Sequence, residues 1–290
     1  MNKDGNLTRT AVVTGASTGI GLASALRLDK DGWRVYAGVR KDADADRLKQ
    51  EASERLTPVK LDVTDQSQID AVAQQVASDA GEAGLQGLVN NAGISINGPL
   101  EFLTPDDVRR QLEVNVVGQV AMIQAFMPLI RKGHGRIVNI GSIGGKMASP
   151  FLGPYTASKH AMEAISDSLR QELRPWGIHV SLVEPGSIAT EIWEKGQSDA
   201  DDYEKNAPEE ALQLYGRQFA ALREAARKFG DAGIPPDRVA RVVEHALTAS
   251  RPRTRYVVGF DASVQSFVRR LPDRLRDRLV AQQLKLPTKL

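Results

Sequence analysis

Short β-branched and apolar runs alternate along the chain with longer amphipathic stretches. Thr10–Thr14, Arg34–Val39, Pro58–Leu61, Gly87–Asn90, Arg136–Ile140, His179–Glu184 and Arg255–Val258 read as strands. They are almost continuously apolar rather than alternating, as strands are when helices cover both faces of their sheet. The segments between them are long enough for helical crossovers, so the strands run parallel. The pattern predicts the α/β class, with a doubly wound parallel sheet of about seven strands and helices on both faces.

One helix start is written in residues. Thr104 suits an N-cap, Pro105 the first helical position, and Asp106 and Asp107 the positive helix end. That helix is expected to run to about Arg131. Two regions break the alternation. Residues 187–230 carry the acidic Asp199, Asp201, Asp202 and Glu204 and then an amphipathic run from Ala211 to Phe229, and read as a lid over the sheet. Residues 262–285 read as one or two short helices in which Arg269, Arg270, Arg274, Arg276 and Arg278 face only Asp273 and Asp277. No repeat or linker divides the chain, so residues 1–290 are expected to form one domain.

Composition narrows the functions. Thirty-eight Lys and Arg against 36 Asp and Glu leave a net charge of +2, too little to draw the protein to nucleic acid. Cysteine is absent, which removes disulfides, thiolate metal sites and a cysteine nucleophile. His134, His160, His179 and His245 have no ligand-type spacing, so no metal is expected. Met1–Arg9 is polar and no later stretch approaches the roughly 20 apolar residues of a spanning helix. A cytoplasmic location without an integral membrane segment is the expectation.

The first strand leads into Thr14-Gly15-Ala16-Ser17-Thr18-Gly19-Ile20-Gly21 and then a helix expected near Leu22. Small residues between a strand and a helix let backbone amides approach a pyrophosphate at the positive helix end. Three more signals follow in order: Asn90-Asn91-Ala92-Gly93 after the fourth strand, Ser142 after the fifth, and Tyr155-x3-Lys159 opening the next helix. Together they resemble the short-chain dehydrogenase/reductase family in its compact form, by motif over roughly residues 8–190 and by topology to about 260.

Tyr155 and Lys159 lie a turn apart on one helix face. A phenol titrates near ~10, and a neighbouring ammonium favours its anion, so Tyr155 is the candidate general acid/base. Ser142 would hold the substrate oxygen, although a serine there also suits a turn cap. The resemblance adds Asn115, in Val114-Asn115-Val116-Val117-Gly118, at a water-holding kink; a core asparagine tied to backbone is the competing reading. It also implies that Lys159 binds the nicotinamide ribose. Cofactor contacts are implied at Gly15, Ser17, Thr18, Gly19, Ile20, Gly21, Asn91, Ala92 and Gly93, with Asp62 and Val63 at the adenine. The loop Pro185-Gly186-Ser187-Ile188-Ala189-Thr190 matches the nicotinamide side, with Pro185, Gly186, Ile188 and Thr190 in contact and hydride transfer from the pro-S face.

Cofactor choice is read at the end of the second strand, where Arg40 stands in place of an acidic residue. A guanidinium suits a ribose 2′-phosphate, so NADP(H) is preferred and NAD(H) remains possible; a solvated strand-end charge is the competing reading. Ile143, Met147, Phe151 and Leu152 on one side, and Ile192, Trp193, Leu212, Leu214, Tyr215 and Phe219 on the other, offer an apolar pocket wall, about half of it expected to be lid core. The Arg40 strand, the lid and the Arg/Leu-rich tail are similar to retinol, 17β-hydroxysteroid and related lipophilic-alcohol dehydrogenases. The resemblance therefore implies a small lipophilic alcohol or carbonyl substrate in a homodimer or homotetramer. The alternatives are an oxoacyl-thioester reductase and a non-catalytic nucleotide-sensing or scaffold protein.

Overall fold

The computed structural model describes residues 9–191, 205, 207–284 and 286. The strands are β1 (Thr10–Val13), β2 (Arg34–Val39), β3 (Leu56–Lys60), β4 (Gly87–Asn90), β5 (Arg136–Ile140), β6 (His179–Pro185) and β7 (Arg255–Val258). All pair in parallel in the order β3-β2-β1-β4-β5-β6-β7. Strand order reverses between β1 and β4, and the crevice beyond their carboxyl ends is where such a sheet takes a ligand.

In chain order the helices are α1 (Gly19–Lys30), α2 (Asp42–Glu51), α3 (Gln66–Ala80), α4 (Pro105–Leu112), α5 (Gly118–Lys132), α6 (Gly153–Glu172), α7 (Glu209–Asp231), α8 (Pro236–Thr248), α9 (Phe260–Val268) and α10 (Asp273–Gln283). Both sheet faces are packed. Ala11 and Val13 of β1 join Leu28 of α1, Leu48 of α2 and Val243 of α8 in one core. Val12 points the other way, into a core with Val72 of α3, Phe126 of α5 and Leu173 after α6. Two buried faces explain why the strands read as unbroken apolar runs.

The Thr104 cap is present as a full capping box. Thr104 Oγ1 accepts from the Asp107 N–H at 3.1 Å, and Asp107 Oδ2 accepts from the Thr104 N–H at 2.9 Å. The helix reaches Lys132 through a π-helical turn at Glu113–Val117. A helix start near Leu22 is corrected to Gly19: glycines read as loop residues, yet here they open the helix because their neighbours leave no room for a side chain.

The absence of any stretch approaching a membrane span is also corrected. Pro105–Lys132 covers 28 residues and contains a window of mean hydropathy 1.3, enough by length and composition. Its Met122, Phe126 and Ile130 are nevertheless fully buried in the sheet's second core, where a helix covering a parallel sheet must be apolar.

Candidate active site

The glycine-rich turn is held by the end of β4. Thr14 Oγ1 accepts from the backbone N–H groups of Asn91 and Ala92, both at 2.9 Å. Asn91 Nδ2 returns bonds to the carbonyls of Thr14 and Gly15, again at 2.9 Å. Gly15 has φ +62°, and a Cβ on Gly21 would lie 2.2 Å from the Gly15 carbonyl oxygen. The spacing Gly-x3-Gly-x-Gly is thus a packing requirement. Thr18 at the N-cap of α1 makes no side-chain cap, and no acidic residue stands in the first turn. The positive helix end is left to an external anion.

Asn115 lies in the π-helical turn and is fully buried. Its amide is tied at both ends: Oδ1 accepts from the Ile94 N–H at 2.9 Å, while Nδ2 donates to the Ile94 carbonyl at 2.9 Å and to Ser158 Oγ at 3.1 Å. The helix passes through a π-helical turn here, and Asn115 makes the contacts of an asparagine tied to backbone. Gly118 has its own cause, since a Cβ there would lie 2.6 Å from the Val63 carbonyl oxygen. Gln111 and Gln119 support the same loop through Ile94, Ile96 and Ala92.

Tyr155 and Lys159 stand a turn apart on α6, with the Lys159 Nζ 5.7 Å from the Tyr155 ring centroid. The ammonium donates to the Ile140 carbonyl at 2.9 Å. Ser142 follows β5 in an extended conformation, and its Oγ accepts from the Gly144 N–H at 3.0 Å. Burial pushes the Tyr155 phenol up, against a smaller downward pull from its bond with Ser142. Burial also pulls the Lys159 ammonium down to about 8. Burial of Tyr155 thus works against the phenolate, the form that a neighbouring ammonium favours.

The end of β6 is fixed by charge. Glu184 is fully buried and pairs with Lys146, just past the Ser142 turn, and with Arg255 of β7 at 3.2 Å. Arg255 also reaches Glu163 at 3.0 Å and Asp167 at 2.7 Å, both on α6. One network ties together the segments carrying Ser142, Tyr155 and the Pro185–Thr190 loop. Asp261 closes that loop by accepting from the Ser187 N–H at 2.7 Å, and a Cβ on Gly186 would meet its carboxylate at 2.3 Å.

A cavity of about 670 Å³ runs across these parts. It is lined by Gly15, Ser17, Thr18, Gly19 and Ile20, by Arg40, Asp62 and Val63, and by Asn91, Ala92 and Gly93. Ser142, Tyr155 and Lys159 line it too, as do Pro185, Gly186, Ile188 and Thr190. Two predicted site residues are not in the lining. Gly21 packs beneath Gly15, and Asn115 lies behind Ile94.

The apolar wall is partly as expected. Ile143, Met147, Leu152 and Phe219 line the cavity. Phe151 and Tyr215 instead meet edge to face at 6.0 Å, and Tyr215 donates to Glu101 at 2.7 Å, so they join α7 to the loops beneath it. Leu212 and Leu214 are exposed. Ile192 and Trp193, with the acidic Asp199–Glu204 stretch, lie outside the described residues. Val280, Gln283 and Leu284 from the end of the chain also wall the cavity, which the sequence pattern does not announce.

Just past β2, Arg40 is two-thirds exposed and lies 4.0 Å from Asp62. Asp62 accepts from the Thr64 backbone and hydroxyl at 3.0 and 2.7 Å, and Asp65 rather than Asp62 caps α3. Arg47 of α2 reaches the glycine-rich turn and donates to the Ser17 carbonyl. It lines the same cavity beside Lys41 and Asp44, and supplies in space a cation that the turn lacks in sequence. Arg47 lies seven positions after Arg40 along the chain, and the α2 crossover brings them to one rim.

A doubly wound sheet with a glycine-rich turn at its reversal and a tyrosine–lysine pair over the same cavity defines a dinucleotide-dependent oxidoreductase. The chain belongs to the short-chain dehydrogenase/reductase family: the profile described as short chain dehydrogenase matches residues 9–201. It is similar to the NADPH-dependent 3-dehydrocapnine reductase of Ornithobacterium rhinotracheale, with 36% identity over 287 residues covering 96% of this chain and 98% of that one. It is also similar to retinol dehydrogenase 5 of Mus musculus, with 40% identity over 258 residues covering 87% and 81% of the two chains. A solved short-chain dehydrogenase from Streptomyces avermitilis matches with a TM-score of 0.76 at 27% identity, over 98% of this chain and 100% of that one. The protein is an NAD(P)-dependent dehydrogenase or reductase.

Proposed function

We propose that this enzyme uses NADP(H) to interconvert an alcohol and its ketone or aldehyde on a lipophilic molecule, with Tyr155 as the general acid/base. The observation that carries the reading is the placement of Tyr155, Lys159 and Ser142 on one cavity with both the glycine-rich turn and an apolar wall. The cradle fits the dinucleotide. Gly15 and Gly19 line the cavity where a pyrophosphate would approach, Gly21 lets the turn close beneath Gly15, and the uncapped start of α1 offers positive charge. The bound nicotinamide supplies or accepts the hydride.

Tyr155, protonated by burial, gives its phenolic proton to the carbonyl oxygen in reduction and takes it back in oxidation. Ser142 donates a hydrogen bond to that oxygen and orients it. The charge on Lys159 stabilises the phenolate left behind. Lys159 would also bind the nicotinamide ribose, while Ile188 would pack against the ring and Thr190 would bond its carboxamide or the pyrophosphate. Asn115 acts through the loop it holds at Ile94. Asp62 and Val63 meet the adenine.

NADP(H) preference rests on the cationic rim. Arg40 and Arg47 are both partly exposed on the cavity, and the similar reductase of Ornithobacterium rhinotracheale carries NADPH dependence in its name. The lipophilic substrate rests on Met147, Leu152, Phe219 and Leu284 in the cavity wall, and on the similarity to a retinol dehydrogenase. A cytoplasmic homodimer or homotetramer that pairs the helices of Asn115 and Tyr155 completes the proposal.

The test is a parallel fluorescence titration with NADPH and NADH, followed by a panel of retinal, ketosteroids, oxoacyl esters and aromatic ketones. Tight NADPH binding, weakened at least about tenfold by Arg40→Asp, with oxidation by a lipophilic carbonyl supports the reading. Preference for NADH removes the cofactor assignment, and oxidation only by oxoacyl esters replaces the substrate class. Binding of NADPH without turnover of any carbonyl leaves a nucleotide-binding scaffold.

A further inference from the structure

The two terminal helices have unlike sides. Their inner side belongs to the cavity: Ala262 is fully buried, Asp261 holds the Ser187 amide, and Gln265, Val280 and Leu284 line the wall with Tyr155. Their outer side is apolar and bare. Phe260, Val264 and Phe267 recur at the spacing of one helix face on α9 and are 84%, 45% and 67% exposed. Leu275 and Leu279 repeat the pattern on α10, at 44% and 39%. No packing demand of the core explains two outward phenylalanines on one short helix, and a patch of this kind marks an interaction surface.

Charge chooses among the surfaces that could cover it. Arg276 is paired with Asp273 at 2.9 Å and lies 4.0 Å from Asp277. Arg269, Arg270, Arg274 and Arg278 are exposed and form no ion pair among the described residues. Within α10, Arg274 and Arg278 run alongside Leu275 and Leu279, one position earlier in each case. A second copy of the chain would meet the face through a two-fold contact, setting one arginine cluster against another. A phospholipid surface with anionic headgroups accepts both the apolar side chains and the cations.

We propose that α9 and α10 form a peripheral docking surface for an anionic bilayer. The phenylalanines enter the boundary between headgroups and acyl chains, and Arg269, Arg270, Arg274 and Arg278 contact phosphates. Because the inner side of the same helices walls the cavity, docking sets the cavity beside a reservoir of apolar molecules. The surface itself does not depend on the substrate proposed above, and its test is a binding measurement without turnover.

The experiment is co-sedimentation of the full chain with vesicles of phosphatidylglycerol and phosphatidylcholine, against vesicles of phosphatidylcholine alone. Binding to the anionic vesicles that weakens with added salt is expected. Phe260→Ser with Phe267→Ser, and separately Arg270→Gln with Arg274→Gln and Arg278→Gln, should each weaken it at least about tenfold. NADPH titration reports that the variants are folded and should be unchanged. Absence of sedimentation with anionic vesicles overturns the proposal, as does equal binding to both vesicle types. A phenylalanine pair whose loss leaves vesicle binding intact but shifts the oligomer in gel filtration also overturns it, and assigns the face to a second copy.

Discussion

The two walls of the cavity are built by different means. On the side of β1, β4 and β5, backbone meets backbone or a buried polar group: Thr14 with Asn91, Asn115 with Ile94, Gly21 beneath Gly15. On the side of α7 and α10, side chains from two helices lean over the opening, and the same helices leave Leu214, Leu275 and Leu279 partly in solvent. The first wall tolerates almost no change of shape. The second can change residue by residue at small cost, as expected where a fold keeps its cofactor and varies its substrate.

Substitutions on the two walls should differ in kind. The largest effect belongs to Tyr155→Phe, which should lower hydride transfer about 10²- to 10⁴-fold while leaving NADPH binding unchanged, measured by single-turnover NADPH oxidation. Next is Glu184→Ala. Removing a fully buried carboxylate takes from Lys146 its ion-pair partner, leaves Arg255 with Glu163 and Asp167 alone, and should cost about 3–5 kcal/mol in denaturant unfolding. Gly21→Ala forces a Cβ against the Gly15 carbonyl and should weaken NADPH at least about tenfold by titration. Leu214→Ser on α7 should change stability by less than about 0.5 kcal/mol. If Gly21→Ala proved as mild as Leu214→Ser, the distinction between the walls would be lost.

What was legible in the chain follows the same division. Strands buried on two faces must be apolar throughout, so all seven could be placed from pattern, with β3 beginning at Leu56 rather than Pro58. Glycine spacing, the Tyr155–Lys159 interval and the Thr104 cap are local demands and read directly. Arg47, Gln111, Gln119 and Asp261 act at positions brought close only by crossovers, and nothing in their immediate neighbours marks them. Asn115 stood out because it violates helix propensity, yet its two bonds to Ile94 needed the structure. The tail read as a basic surface because its arginines dominate the sequence; its inner side, with Val280 and Leu284 on the cavity, emerged only once the helices were folded back.

The most direct test of the Tyr155 acid is the pH dependence of NADPH oxidation in a single turnover. Below about 8, where Tyr155 is a phenol and Lys159 an ammonium, the rate should be level. As pH rises through about 8, Lys159 loses its proton and with it the charge that stabilises the departing phenolate, so the rate should fall. Lys159→Met should remove that alkaline limb. A wild-type rate that rises through this range, or a limb that survives in Lys159→Met, would contradict the account.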